Sequence, residues 1–488
     1  MRLKLLFPLL LASFPLLDAQ SLDGVWRSQG YGYVFQIKGR VLQAFEVTAT
    51  SCLPGFTAKS DKSSVPGREV TFRTGDGDTY FIRTGGSADH RLLHNDGAAS
   101  DIRIDRLLER PAPCIRPGGD TPMDNFEVFT RTWAENYISF DLKHADWDQI
   151  VTRSRAQVTA QTSPTALFEV LERMIQPFGD AHTFITTGSI KRRFQGLRPG
   201  TDRVVTELVG NGGLEQFRKT GMGKLLAVTD RAYLHGPLRK FCNDWLQFGK
   251  IDASTGYLRI LSFSGYSKNG GFAGGLLALE SALDQIFSDS SLRALVIDVR
   301  INFGGDDPYG LAIASRLAVS RYLAYTKYAR ADPVDHDKWT PGDPSVVEPS
   351  SRPGFRGPVV ELTGPLTISA GETFTQALMG RVPHVTRIGE NTQGVFSDVL
   401  VRKLPNGWIF GLPNEVYRTE EGAAFDGPGI PPDIAAPVFA KSDVDSARDP
   451  ALARALEILR SSTEPRPQEA VVLHPCALPD FALRSSSR

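Results

Sequence analysis

Residues 362–380, "LTGPLTISAGETFTQALMG", place a serine where an apolar run ends and a helical pattern begins. Ser369 and Glu372 have the Ser-x-x-Glu spacing of a capping box, in which both side chains satisfy backbone N–H groups of the first helical turn. The same position suits a nucleophile, because the positive end of a helix dipole favours an anion. A serine hydroxyl becomes reactive only when a base takes its proton and hydrogen-bond donors stabilise the oxyanion. The two roles are compatible, and we predict that Ser369 is a nucleophile.

The sequence lacks the motifs that are typical of several other classes of enzyme and binding protein. The chain has no G-x-S-x-G, which argues against an esterase of the α/β-hydrolase type. It has no H-E-x-x-H, paired C-x-x-C, Walker loop or G-x-G-x-x-G after a strand, so we expect neither metal nor cofactor. The formal net charge is zero and no long basic run occurs, which argues against nucleic acid or an anionic membrane as partner.

Four stretches between residues 295 and 433 resemble, in this order, the protease core of the tail-specific (C-terminal processing) serine peptidases. In that family, a strand that ends in a Gly-Gly turn supplies oxyanion donors, and the serine of an S-A-x-E motif is the nucleophile. The upstream "FGDAHT" and the helices before it resemble the branch that includes the tricorn protease, without a recognisable PDZ domain. The resemblance covers roughly residues 120 to 440 and leaves the N-terminal region unexplained. The four stretches are "LVIDVRINFGG", "TISAGETF", "RIGENTQG" and "FDGPGIPPD".

The resemblance offers two kinds of base for the serine. The larger branch uses a lysine soon after the second Gly-rich motif, but Val395 stands there in "TQGVF", and Lys403 is the nearest lysine downstream of Ser369. The other branch uses a histidine, and His182 occupies that place. It follows a helix that ends at Gly179, and its ordinary pKa suits a base near neutral pH. We therefore expect His182 to be the general base.

A third residue should orient the imidazole. The tricorn-like branch has a serine just before the histidine and a glutamate just before a G-x-G-x-x-P-D run, whereas this chain has Ala181 and Asp426. Ala181 cannot relay a hydrogen bond, so contact between Asp426 and His182 must be direct, mediated by water, or absent. We predict Asp426 as the third residue, with Asp180 and Glu421 as competitors and a turn role for Asp426 as the alternative.

For the oxyanion hole we predict the backbone N–H of Gly304 or Gly305, together with that of Ala370 at the helix start. The alternative is that residues 302–305 form only a strand-ending turn. Asp298 and Arg300 are expected to have structural roles, by pairing or by holding that loop.

The N-terminal "MRLKLLFPLLLASFPLLDAQ" has two basic residues, a short apolar run and Ala19 as a cleavage residue, which predicts a secretory signal peptide. We expect an exported protein, periplasmic or secreted. Its four cysteines, Cys52, Cys114, Cys242 and Cys476, allow three full pairings in an oxidising compartment. Cys52 and Cys114 bracket the β-rich N-terminal region, so we favour that pair, while unpaired buried thiols remain an alternative.

A chain of 488 residues predicts two or three domains. The predicted fold class is α/β: a ββα-spiral (ClpP/crotonase-like) protease core, an N-terminal antiparallel β domain, and a helical segment between them. Alternating strand-like runs, then three- and four-residue apolar spacing, then buried strands alternating with helices indicate this order. The expected parts are a signal peptide (1–19), β domain (20–110), linker (111–124), helical segment carrying His182 (125–190), irregular connection (191–250), core (251–440), and C-terminal helix and tail (441–488).

We therefore expect an exported serine endopeptidase acting on peptides or proteins. The alternatives are a catalytically impaired binding protein on a protease fold, and a crotonase-like thioester enzyme. The latter would need a coenzyme A pocket, and no basic cluster suits its phosphates.

Overall fold

The N-terminal region folds into a closed eight-stranded antiparallel barrel in the computed structural model, which describes residues 21–61, 69–115 and 118–463. Alternation along the strands places Trp26, Phe35, Leu42, Phe72 and Ile82 in the barrel interior. The first strand pairs with both the second and the eighth, which leaves the sheet without an open edge. The strands are β1 (Gly24–Ser28), β2 (Tyr33–Lys38), β3 (Val41–Val47), β4 (Cys52–Lys59), β5 (Val70–Thr74), β6 (Thr79–Thr84), β7 (His90–Asn95) and β8 (Asp101–Leu107).

A disulfide joins Cys52, the first residue of β4, to Cys114 in a short 3-10 turn after the barrel. This confirms the predicted pair. Cys242 is a buried free thiol. The predicted signal peptide and Cys476 lie outside the described residues.

Three helices follow: α1 (Pro122–Asn136), α2 (Trp147–Arg155) and α3 (Pro164–Ile175). The first begins before the predicted Asn125, because Thr121 and Asp124 form a capping box ahead of Pro122. The third is capped by Ser163, which precedes Pro164 and whose hydroxyl accepts from Ala166 N–H at 3.3 Å. A 3-10 turn then ends at Gly179, whose φ of 54° is left-handed.

The expectation that residues 191–250 are irregular is wrong. This region contains three helices and contributes strands to two sheets. Their helical period is weak in the sequence, because the helices are short, glycine-rich, partly exposed and interrupted by a wide π turn at Phe217–Gly221. With the strand that precedes them, the elements are β9 (Phe184–Thr186), β10 (Arg193–Gln195), α4 (Pro199–Val209), α5 (Gly213–Gln216), α6 (Met222–Ala232), β11 (Arg239–Phe241) and β12 (Leu246–Lys250).

The core is built from elements that extend to the C-terminal helix. They are β13 (Thr255–Ile260), α7 (Gly271–Phe287), β14 (Ala294–Asp298), β15 (Ile301–Asn302), α8 (Asp307–Leu317), β16 (Tyr322–Ala329), β17 (Asp343–Val347), β18 (Val359–Thr363), β19 (Leu366–Thr367), α9 (Ala370–Met379), β20 (Thr386–Gly389), β21 (Val399–Lys403), β22 (Ile409–Pro413), β23 (Glu415–Arg418), β24 (Ile434–Ala435), α10 (Lys441–Asp445) and α11 (Pro450–Thr463).

Two strands and a helix recur as a unit: β12-β13-α7, β14-β15-α8 and β18-β19-α9. The strands β13, β14 and β18, one from each unit, run parallel to one another in a seven-stranded sheet of order β11-β12-β13-β14-β18-β20-β24, in which β12 is antiparallel to β13. Its central strands are apolar on both faces because helices cover both sides. The predicted fold class, a ββα-type core after a β domain and a helical segment, is confirmed.

Three further sheets surround this core: a parallel pair, β15 with β19; a four-stranded sheet, β10-β9-β22-β21; and a three-stranded sheet, β17-β16-β23. The β21–β22 pair is a hairpin that turns at Asn406-Gly407. Within the described ranges, no helix is both long and apolar enough to span a membrane.

Candidate active site

The short parallel pair β15–β19 brings the Gly-Gly turn next to Ser369. Asn302 pairs with Thr367, and Ile368 N–H donates to Asn302 O at 2.9 Å. Gly304 and Ser369 each lie two residues beyond this pair. A Cβ on Gly304 would lie 2.7 Å from Ser369 Cβ, so only glycine permits this approach.

Ser369 itself has strained backbone geometry. Its φ is 57° and its ψ is −121°, a region that residues with side chains rarely adopt. It stands between β19 and α9, so its hydroxyl lies at a sharp strand-to-helix turn. A serine at such a turn is a feature of hydrolase nucleophiles on other folds.

The Glu372 carboxylate holds this turn. Fully buried, it accepts N–H bonds from Ser369 (3.3 Å), Gly394 (2.6 Å) and Val395 (2.8 Å). Ser369 N–H also donates to Val395 O at 3.1 Å. Burial raises the pKa of Glu372 to about 7, although Thr392 and the three backbone donors oppose that shift. The predicted capping box is therefore present and extends to a second loop.

The predicted oxyanion donors differ in availability. Gly304 N–H is already donated to Asn302 Oδ1 at 2.9 Å. The N–H groups of Gly305 and Ala370 have no hydrogen-bond acceptor among the described residues. Of the two glycines proposed, Gly305 is thus the one with a free donor, and it is paired with Ala370.

His182 lies on the loop between α3 and β9, buried to 7% exposure. Its backbone N–H donates to Asp180 Oδ1 at 3.1 Å, and within the described ranges its ring Nδ1 has no hydrogen-bond partner. Burial lowers the pKa of the imidazole below 6.5, opposed by the charges of Asp180 and Asp398 and by the Ser397 backbone. The ring is therefore neutral at pH 7, as a general base must be.

Asp426 is half-buried near this site, without a hydrogen bond to His182 in the described part of the chain. Its Oδ1 accepts from Phe396 N–H at 3.4 Å, and its Oδ2 has no partner there. Burial raises the pKa of Asp426 to about 7, against the Phe396 hydrogen bond and with the charge of Glu372 adding. Of its competitors, Asp180 binds the backbone of His182, whereas Glu421 is exposed on a distant hairpin turn.

Asp398 is a neighbour of His182 that the sequence reasoning missed. Its carboxylate pairs with Lys327 Nζ at 2.8 Å, and its N–H donates to Glu415 Oε2 at 2.8 Å. Desolvation by the surrounding protein opposes ionisation even though the side chain is partly exposed, yet Lys327 and the nearby His182 keep the pKa of Asp398 below its ordinary value. No local motif marks Asp398, because its partners come from β16 and β23, distant in the sequence.

Ser369, Asp426 and His182 all lie against one segment, residues 395–398. Val395 contacts Ser369 and Glu372, Phe396 contacts Asp426, and the Ser397 backbone faces His182. The structure thus brings the three predicted side chains to one segment, although no hydrogen bond between Ser369 and His182 is found in the described residues. Arg300, in contrast, pairs with Asp298 and Asp449 at 2.6 Å each and has a structural role.

A serine at a strained turn beside a Gly-Gly turn, with a neutral histidine against the same segment, fits a serine hydrolase. Family models define the class further: residues 254–436 match Peptidase family S41, and residues 120–176 match the Tricorn protease C1 domain. The chain is a serine peptidase, and its residues 254–436 carry the Peptidase family S41 domain.

Solved structures agree with this fold. A candidate peptidase from Parabacteroides merdae ATCC 43184 is 26% identical, with a TM-score of 0.56 over 70% of this chain and 97% of that one. The structure of mature CPAF is 13% identical, with a TM-score of 0.50 over 70% of this chain and 98% of that one. The latter similarity shows the fold alone. No curated protein matches this chain.

The Glu372 contacts generate a prediction for stability. In Glu372→Gln, an amide N–H₂ replaces one acceptor oxygen and faces backbone donors, so at least one buried hydrogen bond is lost. We expect the free energy of unfolding to fall by about 1–3 kcal/mol, measured by denaturant titration. Amide hydrogen exchange at Gly394 and Val395 should also accelerate. The exposed Glu420→Gln is the matched control, and equal stability of the two variants would contradict this role of Glu372.

Proposed function

We propose that this chain is an exported serine endopeptidase in which Ser369 attacks the peptide carbonyl and His182 acts as general base. The observation that carries the proposal is the strained Ser369 turn beside the free N–H groups of Gly305 and Ala370. Those donors would accept the negative charge that forms on the carbonyl oxygen. Peptides or proteins are the substrates that the family implies.

In the proposed reaction, neutral His182 takes the hydroxyl proton as Ser369 Oγ bonds to the carbonyl carbon. The resulting oxyanion accepts hydrogen bonds from Gly305 and Ala370. Collapse breaks the C–N bond, and the imidazolium returns the proton to the leaving amine. Water then attacks the acyl-enzyme by the same steps, which frees Ser369 and the acid product.

Two carboxylates are candidates to support the imidazolium. Asp426 has the position that the family resemblance implies, but a pKa of about 7 leaves it only partly ionised near neutral pH. Asp398 stays ionised beside Lys327 and is electrostatically close to His182. We propose that Asp398 stabilises the imidazolium, and that Asp426 positions Phe396 in the shared segment.

Export is supported by two features. The Cys52–Cys114 disulfide fits an oxidising compartment outside the cytoplasm. The proposed signal peptide at 1–19 has the charge and apolar pattern of a secretory leader.

Covalent labelling tests the nucleophile. A fluorophosphonate probe should label the wild-type chain, and Ser369→Ala should abolish labelling while the chain remains folded, since loss of a cap costs only about 1 kcal/mol. Mass spectrometry locates the adduct, and the exposed Ser290→Ala is the matched control. Persistent labelling of Ser369→Ala would exclude this nucleophile. An unlabelled wild-type chain would favour the impaired binding protein or the thioester enzyme.

The buried imidazole predicts the pH profile of peptide hydrolysis. Because His182 must be neutral and its pKa lies below 6.5, kcat/KM should be flat above pH 7 and fall only in more acidic solution. His182→Gln should lower kcat by about 10²–10⁴-fold, while the exposed His235→Ala should change little. A rate that rises only near pH 9–10 would indicate a lysine base instead.

Substituting each carboxylate by its amide distinguishes the role of Asp398 from that of Asp426. Asp398→Asn removes a charge that raises the pKa of His182, so the acid limb of kcat/KM should move to lower pH as kcat falls. Asp426→Asn should leave that limb in place. Loss of the ion pair with Lys327 could also destabilise the fold, but that would lower the amount of active protein without moving the acid limb to a different pH. A shift of the acid limb therefore indicates that Asp398 supports the imidazolium. The reverse pattern, with the limb moved only in Asp426→Asn, would make Asp426 the third residue.

A further inference from the structure

A cavity of about 170 Å³ lies between the mouth of the barrel and the core. We call it the barrel-mouth pocket. The barrel contributes aromatic and aliphatic side chains to it, and the core contributes Lys327, Asp398, Leu400 and Glu415. The barrel side is lined chiefly by Tyr33, Phe35, Phe56, Tyr80, Leu93 and Ile102.

The aromatic wall is held by packing between its own rings. Phe56 and Tyr80 stack with centroids 4.5 Å apart and an interplanar angle of 7°, and Tyr33 and Phe35 stack at 5.6 Å. The Arg402 guanidinium lies 4.2 Å from the Tyr33 centroid and restrains that ring. The wall is therefore ordered before any ligand enters.

The polar end of the pocket is already paired. Lys327 Nζ contacts Asp398 at 2.8 Å and Glu415 at 3.1 Å, while the Tyr31 hydroxyl donates to Glu415 at 2.7 Å. Since these groups satisfy one another, the surface that remains is the aromatic and aliphatic barrel side together with Asn95, Ser100 and Asn414. A cavity of roughly 150 Å³ lined by apolar groups holds a benzene molecule, so this one matches a single aromatic ring.

The pocket is open to solvent and close to Ser369. Asn95 and Asp398, which line it, are exposed, with 55% of the Asp398 side chain accessible. The shared segment 395–398 joins the two places, because Val395 O accepts from Ser369 N–H and Asp398 lines the pocket. Three residues span at most about 11 Å. An extended peptide bound at Ser369 reaches the pocket within about four residues.

From this juxtaposition we propose that the barrel-mouth pocket is a specificity site of the peptidase, which takes one aromatic side chain of the substrate within about four residues of the scissile bond. The inference rests on the proposed function, and it gives the barrel a role in substrate selection.

The test fills the pocket. Ala98 lines it and is partly exposed, so Ala98→Phe should place a ring inside without disturbing the core. The neighbouring Ala99→Phe, which does not line the pocket, is the matched control. Each chain is incubated with a peptide library, and cleavage products are sequenced by mass spectrometry.

Wild type and Ala99→Phe should cleave peptides with Phe or Tyr at one fixed position near the cut at least tenfold faster than peptides with Ala there. Ala98→Phe should lose most of that preference while its fluorophosphonate labelling rate stays unchanged. Absence of an aromatic preference, a preference for Lys or Arg, or an undiminished preference in Ala98→Phe would overturn the proposal.

Failure of the proposed function would be recognised separately, by a wild-type chain that neither labels nor cleaves. In that case a binding measurement tests whether the pocket takes an aromatic side chain. Fluorescence polarisation compares the affinities of fluorescein-labelled peptides that carry Phe or Ala. A Phe-dependent affinity that is lost in Ala98→Phe and kept in Ala99→Phe supports the pocket. Equal affinities for the two peptides would overturn it.

Discussion

Successive hydrogen bonds to segment 395–398 are the constraint on which the candidate site depends. Val395 N–H donates to Glu372, Phe396 N–H to Asp426 and Asp398 N–H to Glu415. The three carboxylates come from three different elements, and desolvation raises the pKa of each to about 7. Burying them is costly, and the backbone donors offset that cost only while the segment keeps this path. Because Ser369 also bonds to Val395 O, the same path fixes the nucleophile turn.

The barrel is joined to this network by buried polar contacts as well as by the chain. Tyr31, in the turn between β1 and β2, donates to Glu415, and its own carbonyl accepts from Arg402. Gly30 lies so close to the core that a Cβ there would be 2.5 Å from Arg330 O. Breaking these contacts would leave Glu415 and Lys327 buried with fewer partners, which is strongly unfavourable. The barrel and the segment beneath His182 are therefore expected to hold one another in place.

Local signals predicted local structure well. Ser163 before Pro164 fixed the start of α3, and the disulfide followed from cysteines that bracket the barrel. Barrel closure could not be predicted, because it depends on the pairing of β1 with β8 rather than on any one strand. The helices in 199–232 were missed because short, half-buried helices rich in glycine have little apolar period. Motifs made Ser369, His182 and the Gly-Gly turn candidates, whereas Asp398 became a candidate only through its contacts in the folded chain.

Two departures from the tricorn-like pattern have a common physical consequence. Ala181 has no hydroxyl to pass a hydrogen bond to His182. Asp426 is one methylene shorter than glutamate, and in the described part of the chain it accepts its one hydrogen bond from Phe396 N–H. Both changes weaken support for the imidazole from that side. On the other side, Lys327 keeps Asp398 ionised within electrostatic range of the ring. A negative charge near an imidazolium stabilises it without a direct hydrogen bond, although less strongly. In the proposed mechanism, the charge that stabilises the imidazolium of His182 is therefore provided by Asp398 and not by Asp426.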